Sequence, residues 1–197
     1  MWPQAGVGEE GQAVTLATPS VLGDGRPADI SEADWATLLS VLAKMGKTPE
    51  DAIKLVEQVR FQRSFEKLQT LDNPEDAAVR RRMAQTLMSE LPERLKDGEF
   101  TLMEATFMGA SLIAETESED SQRNAALVQW QMQLAKLVPD FENDVAIAKL
   151  SQETQMKRLQ ASAYAEWVSE PNPALRTAAR LEQLMEQARR DFNSGAQ

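Results

Sequence analysis

Several carboxylates that could bind a metal ion lie between positions 93 and 104, where the sequence reads ERLKDGEFTLME. Aligned with the twelve-residue loop of helix-loop-helix calcium sites, this segment supplies carboxylates at Asp97, Glu99 and Glu104 and a glycine at the sixth position. The third position is Leu95, whose side chain has no oxygen, so the loop lacks one of the roughly six to eight ligands that calcium needs. Two interpretations stay open: a calcium-responsive module that uses these carboxylates, or a glycine-terminated helix followed by a capped one.

The amino-acid composition excludes most catalytic mechanisms. The chain contains no cysteine and no histidine. Thiol catalysis, thiolate metal sites and histidine general-base systems are therefore excluded, and only carboxylates or lysines could carry a reaction. Adjacent acidic pairs mostly fall in the first turns of predicted helices, where they complement the helix dipole. No glycine-rich phosphate loop lies in the helical region, so we expect a protein that is not an enzyme and has no cofactor, calcium excepted.

The net negative charge of the chain limits the kinds of partner that it can bind. The sequence holds 31 acidic and 21 basic residues, which gives a formal net charge of −10. A field of this sign repels phosphate, so we expect no binding to nucleic acid or to an anionic membrane surface. No run approaches the roughly 18–20 apolar residues of a membrane span, and no secretory signal segment is present. Membrane attachment is expected only through a leader or anchor missing from this chain.

A second group of candidate site residues occupies positions 60–66, RFQRSFE. Phe61 and Phe65 are one helical turn apart and share a face, with arginines beside them. Arginine and aromatic side chains are enriched among the residues that dominate protein–protein binding energy. The group, which we call the 60–66 ridge, is either a partner-binding surface or a core helix whose arginines pair with nearby acids. Its candidate contacts are Arg60, Phe61, Arg63, Phe65 and Glu66.

An all-α fold of about seven helices is predicted to position these groups, because apolar residues recur at helical spacing and no strand-like alternation is sustained. Ser31 and Thr48 cap the first two helices, and Pro74 starts the third. Pro92 is expected to end the third helix, since proline cannot donate a backbone hydrogen bond. The fourth helix opens with a Thr-x-x-Glu capping box at positions 101–104, and further helices follow at about 119–138, at about 143–167 and after Pro173. The fifth of these helices is apolar on two sides.

Three regions are predicted along the chain. Residues 1–29 are rich in glycine and proline without a helical period, which indicates a flexible tether. Residues 30–97 are expected to form an N-terminal helical lobe and residues 98–197 an extended C-terminal helical region. The sixth helix is polar on all sides at positions 151–155, as in helices that bridge solvent or bind a partner. We therefore expect an extended, two-lobed arrangement and not one tight bundle.

Positions 63–92 resemble the lipase-specific foldases, the steric chaperones of secreted bacterial lipases. The signature of that family is Arg-x-x-Phe-Asp-Tyr, then a polar corner, then a helix that ends near Leu-Pro. Here Phe65, the Asp-Asn-Pro corner at 72–74 and the segment VRRRMAQTLMSELP follow the same order. Three positions depart from the motif: Gln62 stands at its arginine, with Arg60 and Arg63 nearby, Glu66 at its aspartate and Lys67 at its tyrosine. A related chaperone with another client would fit these departures. The chain also resembles the accessory proteins of secreted haemolytic phospholipase C, which look like helical periplasmic chaperones of similar size.

The resemblance implies a chaperone in the periplasm, or co-secreted with its client, that binds a secreted lipase or phospholipase C as a heterodimer. It would assist folding and secretion of the client without covalent chemistry, through the 60–66 ridge and the polar sixth helix. Calcium at positions 97–104 is the cofactor that the phospholipase relative suggests. The alternatives are a calcium-binding helical module and a cytosolic, secretion-type helical adaptor.

Overall fold

The computed structural model describes residues 21–138 and 144–195, with side chains from position 147 onward in the second range. These ranges contain seven α-helices and no β-strand, apart from an isolated bridge between Val21 and Pro27. The all-α prediction is confirmed, and the first 20 residues of the predicted tether lie outside the described ranges. The helices are α1 (Glu32–Lys44), α2 (Pro49–Thr70), α3 (Ala77–Lys96), α4 (Leu102–Thr116), α5 (Asp120–Leu137), α6 (Asp144–Val168) and α7 (Ala178–Gly195).

The helix starts that the sequence predicts are found at the predicted caps. The Ser31 hydroxyl accepts a backbone N–H of the first turn of α1. Thr48 with Asp51 opens α2, and Thr101 with Glu104 opens α4, each as a reciprocal capping box. In both boxes the threonine hydroxyl accepts a backbone N–H while the carboxylate accepts the threonine N–H. These three helices therefore begin where local hydrogen bonding alone places them.

The predicted end of the third helix at Pro92 is wrong, because α3 continues to Lys96. Proline inside a helix costs about 3 kcal/mol or more through the lost hydrogen bond and a steric clash. Leu91 and Leu95, on either side of it, are both buried in the core. Burial of these leucines offsets the cost, and the chain turns only at Gly98, whose φ of 71° favours glycine.

The buried side chains form two hydrophobic clusters, and α2 belongs to both. The first cluster joins α1, the first half of α2, the second half of α6 and α7, around Trp35 and Trp167. The second cluster joins the rest of α2 with α3, α4 and α5, around Phe61 and Trp130. The predicted arrangement in two lobes stays a prediction. Each cluster contains residues from before and after position 97, and the domain boundary predicted there stays a prediction.

The polar stretch of α6 packs against the turn between α3 and α4. Thr154 is fully buried and donates its hydroxyl to the carbonyl of Gly98 at 3.0 Å. The ammonium of Lys157 donates to the carbonyl of Asp97. Residues 151–153 are exposed, so only part of this stretch is free for a partner. The polar side chains of α6 therefore join the two clusters, which is a role that the sequence pattern alone did not indicate.

Candidate functional site

The aromatic half of the 60–66 ridge lies inside the fold. Phe61 is 2% exposed, and its ring centroid lies 5.5 Å from that of Phe100. Phe65 is half-buried against the same cluster, and the buried Ser64 donates its hydroxyl to the carbonyl of Arg60. A partner protein cannot reach Phe61 unless the second cluster opens. Phe61 is therefore a core residue in this fold, and partner binding through it stays a prediction.

The two arginines of the ridge form hydrogen bonds that connect α2 to the segment before α1 and to the end of α6. The guanidinium of Arg60 donates to both carboxylate oxygens of Asp29, at 2.9 and 2.8 Å. Arg63 donates to the carbonyl of Ala165 at 3.2 Å and to the hydroxyl of Ser169 at 2.7 Å. Arg60 thus holds the segment before α1, and Arg63 holds the end of α6. Both arginines have structural partners within the chain.

Part of the ridge remains accessible to a partner. Glu66 is exposed, Arg63 is exposed beyond its two hydrogen bonds, and Phe65 keeps a partly exposed ring. Partner binding by these three residues stays a prediction. The surface that they offer is smaller and more polar than the aromatic ridge that the spacing predicts.

The predicted calcium half-loop forms the turn between α3 and α4. Asp97 accepts a hydrogen bond from the ammonium of Lys54 at 2.9 Å. Glu104 accepts the backbone N–H of Thr101 at 2.9 Å and pairs with Arg158 at 2.6 Å, and these bonds lower its pKa against the opposing effect of burial. Within residues 21–138 and 144–195, no group of three or more acidic side chains is placed to hold a metal. The geometry is that of a glycine-terminated helix followed by a capping box, and calcium binding stays a prediction.

Glu99 is buried in the same turn, with 2% of its surface exposed. One carboxylate oxygen accepts a hydrogen bond from Arg94 at 3.3 Å, and the other finds no partner among the described atoms. Arg94 also lies 3.3 Å from a carboxylate oxygen of Glu57 and 3.7 Å from one of Glu90. Burial raises the pKa of Glu99 to about 7, although Arg94 opposes that change. The guanidinium of Arg94 thus lies near three carboxylates, of which Glu99 is the buried one.

Exposed apolar side chains that the sequence pattern did not predict as a site lie on α4 and α5. Met103 and Phe107, one turn apart on α4, are 70% and 69% exposed. Val128 and Met132, one turn apart on α5, are also exposed. Each pair lies opposite the buried side of its own helix. We call these four residues the outer faces of α4 and α5.

A close helix contact fixes which sides of α4 and α5 point outward. Gly109 of α4 approaches Trp130 of α5 so closely that an added β-carbon would lie 2.1 Å from the indole nitrogen. That nitrogen donates to the carbonyl of Ala105 at 3.2 Å. Because this contact occupies the inner sides of both helices, the residues on the opposite sides remain at the surface.

The outer faces are uncharged in a strongly charged protein. Charged residues make up 26% of the chain, yet α4 has none between Glu104 and Glu115 and α5 has none between Arg123 and Lys136. The centres of protein–protein interfaces contain few charged residues and are enriched in aromatic residues and methionine, and the outer faces have this composition. The two apolar sides of the fifth helix were the signal in the sequence, although the sequence did not show which side would stay uncovered.

Comparison with known proteins finds no match for this chain among family models, curated proteins or solved structures. The resemblance to the foldases therefore stays a prediction that rests on positions 63–92. In the part of the chain that the structure describes, no helix has the length and hydropathy required to cross a membrane.

Proposed function

We propose that this chain is a non-catalytic helical chaperone that holds an apolar segment of a client polypeptide on the outer faces of α4 and α5. The observation that carries this proposal is the exposure of four large apolar side chains, Met103 and Phe107 on α4 and Val128 and Met132 on α5, beside helical stretches that contain no charged residue. Full burial of one such side chain against a partner is worth about 1.5–3 kcal/mol. Methionine side chains adapt to partners of different shape, which suits a client that has not finished folding.

The charge pattern favours a polypeptide over other occupants of this surface. Acidic residues cluster where α4 passes to α5, at positions 115, 117, 119 and 120, in a chain of net charge −10. They would repel an anionic membrane or a nucleic acid. Two copies of this chain would also repel each other through their net charge. An apolar segment of a neutral or basic polypeptide fits the surface best.

A secreted lipase or phospholipase C in the periplasm is the client that the resemblance at positions 63–92 implies. Arg63, Phe65 and Glu66 would then add peripheral contacts, since each is at least partly exposed. The binding energy would lower a late barrier in the folding of the client, with no nucleotide and no covalent step. One client and one chaperone chain would form the complex.

Refolding of a urea-unfolded secreted lipase or phospholipase C, followed by recovered hydrolase activity, tests the proposal. We expect the chain to increase the recovered activity and the Phe107→Gln/Met132→Gln double variant to lose most of that increase. Leu175→Gln is the matched control, because Leu175 is an exposed apolar residue outside the outer faces. Equal recovery with and without the chain contradicts the proposal, and so does full activity of the double variant. A dimer formed through these faces, detected by light scattering, would assign them to self-association.

A further inference from the structure

Methionines make up two of the four residues of the outer faces of α4 and α5. Met103 is 70% exposed and Met132 is 59% exposed. Among the other methionines in the described ranges, Met45 is 38% exposed, Met83 and Met185 are buried, and the remaining ones are half-buried. The two most exposed methionines of the described fold therefore both lie on the surface that we propose for the client.

Both methionines lie toward the same end of the helix pair. Only residues 117–119 separate α4 from α5, so α5 runs back along α4. The indole nitrogen of Trp130 donates to the carbonyl of Ala105 at 3.2 Å, which places these two residues side by side. Met103 comes two residues before Ala105, and Met132 comes two residues after Trp130. One end of the outer faces thus carries both thioether sulfurs.

An exposed thioether reacts with peroxides to give methionine sulfoxide. The sulfur lone pair attacks one oxygen of hydrogen peroxide, so that an S–O bond forms and the O–O bond breaks. The proton on the transferred oxygen moves to the leaving hydroxide, which departs as water. The sulfur loses two electrons and the peroxide gains them. Methionine sulfoxide reductases reverse the change with two thiols, which become a disulfide as water is released.

We propose that Met103 and Met132 form a reversible oxidation site that releases the client from the outer faces, an inference that rests on the proposed function of these faces. A sulfoxide is polar, and its burial against an apolar segment would take it out of water without a hydrogen-bond donor. The oxidised chain should therefore bind the client at least about tenfold more weakly. The buried Met83 and Met185 are shielded from peroxide, so the fold survives the reaction.

Peroxide treatment of the folded full chain, followed by mass spectrometry of each methionine-containing peptide, tests the order of oxidation. We expect Met103 and Met132 to react first, Met45 to react more slowly, and Met83 and Met185 to react at least about tenfold more slowly than the first two. In concentrated urea, where the fold is absent, all five should react at similar rates. Similar rates in the folded chain, or faster oxidation of Met45 than of Met103 and Met132, overturn the proposal.

Client refolding with the oxidised chain, after catalase has removed the peroxide, tests the release. The oxidised wild type should lose most of the increase in recovered hydrolase activity, keep its helicity by circular dichroism, and regain the increase after treatment with methionine sulfoxide reductase. Met103→Leu/Met132→Leu, compared with its own untreated sample, should be insensitive to peroxide. Met45→Leu is the matched control and should stay as sensitive as the wild type.

The outcomes separate this inference from the proposed function. Full activity of the oxidised wild type, or equal sensitivity of the two leucine variants to peroxide, overturns the oxidation site and leaves client binding intact. No increase in recovered activity with the untreated wild type contradicts client binding itself, and the proposed release is overturned with it.

Discussion

The two clusters differ in what their helices present to solvent. Around the first cluster, outward side chains pair across elements: Arg176 lies 3.0 Å from Asp34, and Arg180 lies 2.7 Å from Glu166. Around the second cluster, α4 and α5 present the uncharged outer faces. Exposed ion pairs are worth only about 0–1 kcal/mol each, so the contrast says little about stability. Among the described α-helices, the most exposed large apolar side chains are those of the outer faces of α4 and α5.

The largest expected effect is a difference in stability between variants of two phenylalanines, one in the core and one on the outer faces. Phe61→Ala should lower the free energy of unfolding by about 3–5 kcal/mol, because its buried ring leaves a cavity in the second cluster. Phe107→Ala should change it by about 0.5 kcal/mol or less, since its ring is exposed. Urea unfolding of both variants measures the difference. Similar losses would mean that the assignment of core and surface is incorrect.

A substitution at Gly109 tests the close contact between α4 and Trp130 of α5, which leaves the outer faces exposed to solvent. Gly109→Ala should destabilise the fold by about 3 kcal/mol, because the new methyl group would collide with the buried indole of Trp130. Helix propensity acts in the opposite direction, by about 1 kcal/mol in favour of alanine. Gly23→Ala is the control, since a methyl group there meets nothing within 4 Å. Thermal unfolding measures the stability of both variants. A Gly109→Ala variant more stable than the wild type would show that Gly109 and Trp130 are not in close contact.

The stability of the fold should respond to pH through Glu99, which is buried in the turn between α3 and α4. Its pKa is raised from 4.5 to about 7 in the folded state, so that state holds the proton more tightly than the unfolded chain. The resulting stability is complete below about pH 4.5 and is lost as pH rises through about 7. The free energy of unfolding should therefore fall by on the order of 2 kcal/mol between about pH 5 and pH 8. Glu99→Gln should flatten this dependence, and an unchanged slope in the variant would argue against it.

A smaller effect is expected at Arg63, which joins α2 to the end of α6. Arg63→Ala should cost about 1 kcal/mol, because it removes two hydrogen bonds from an exposed guanidinium. Arg81→Ala, an exposed arginine on α3, is the control and should cost less than about 0.5 kcal/mol. Urea unfolding compares the two. Equal costs would show that the hydrogen bonds of Arg63 to the end of α6 do not stabilise the fold.

The features that the sequence predicted well are those that depend on neighbouring residues along the chain. Ser31, Thr48 and Thr101 cap their helices through side chains three residues or fewer away, so their positions needed no knowledge of the fold. Pro92 was misjudged because the burial of Leu95 depends on residues distant in sequence.

The candidate site was harder to predict for the same reason. Phe61 and Phe107 are both phenylalanines on amphipathic stretches, and only tertiary packing decides that Phe61 is covered and Phe107 is not. Spacing placed Phe61 and Phe65 on one face correctly, but it could not show that this face points into the second cluster. The side of α5 that stays exposed is likewise decided by Gly109, which lies on another helix.

Photo-crosslinking during client refolding tests most directly whether the outer faces bind the client. Phe107 replaced by p-benzoylphenylalanine would be illuminated in the presence of a refolding secreted lipase or phospholipase C, and the same replacement at Leu175 would serve as control. We expect a covalent chaperone–client product from position 107 and little from position 175. Equal yields at the two positions, or a product from position 175 alone, would contradict the central claim.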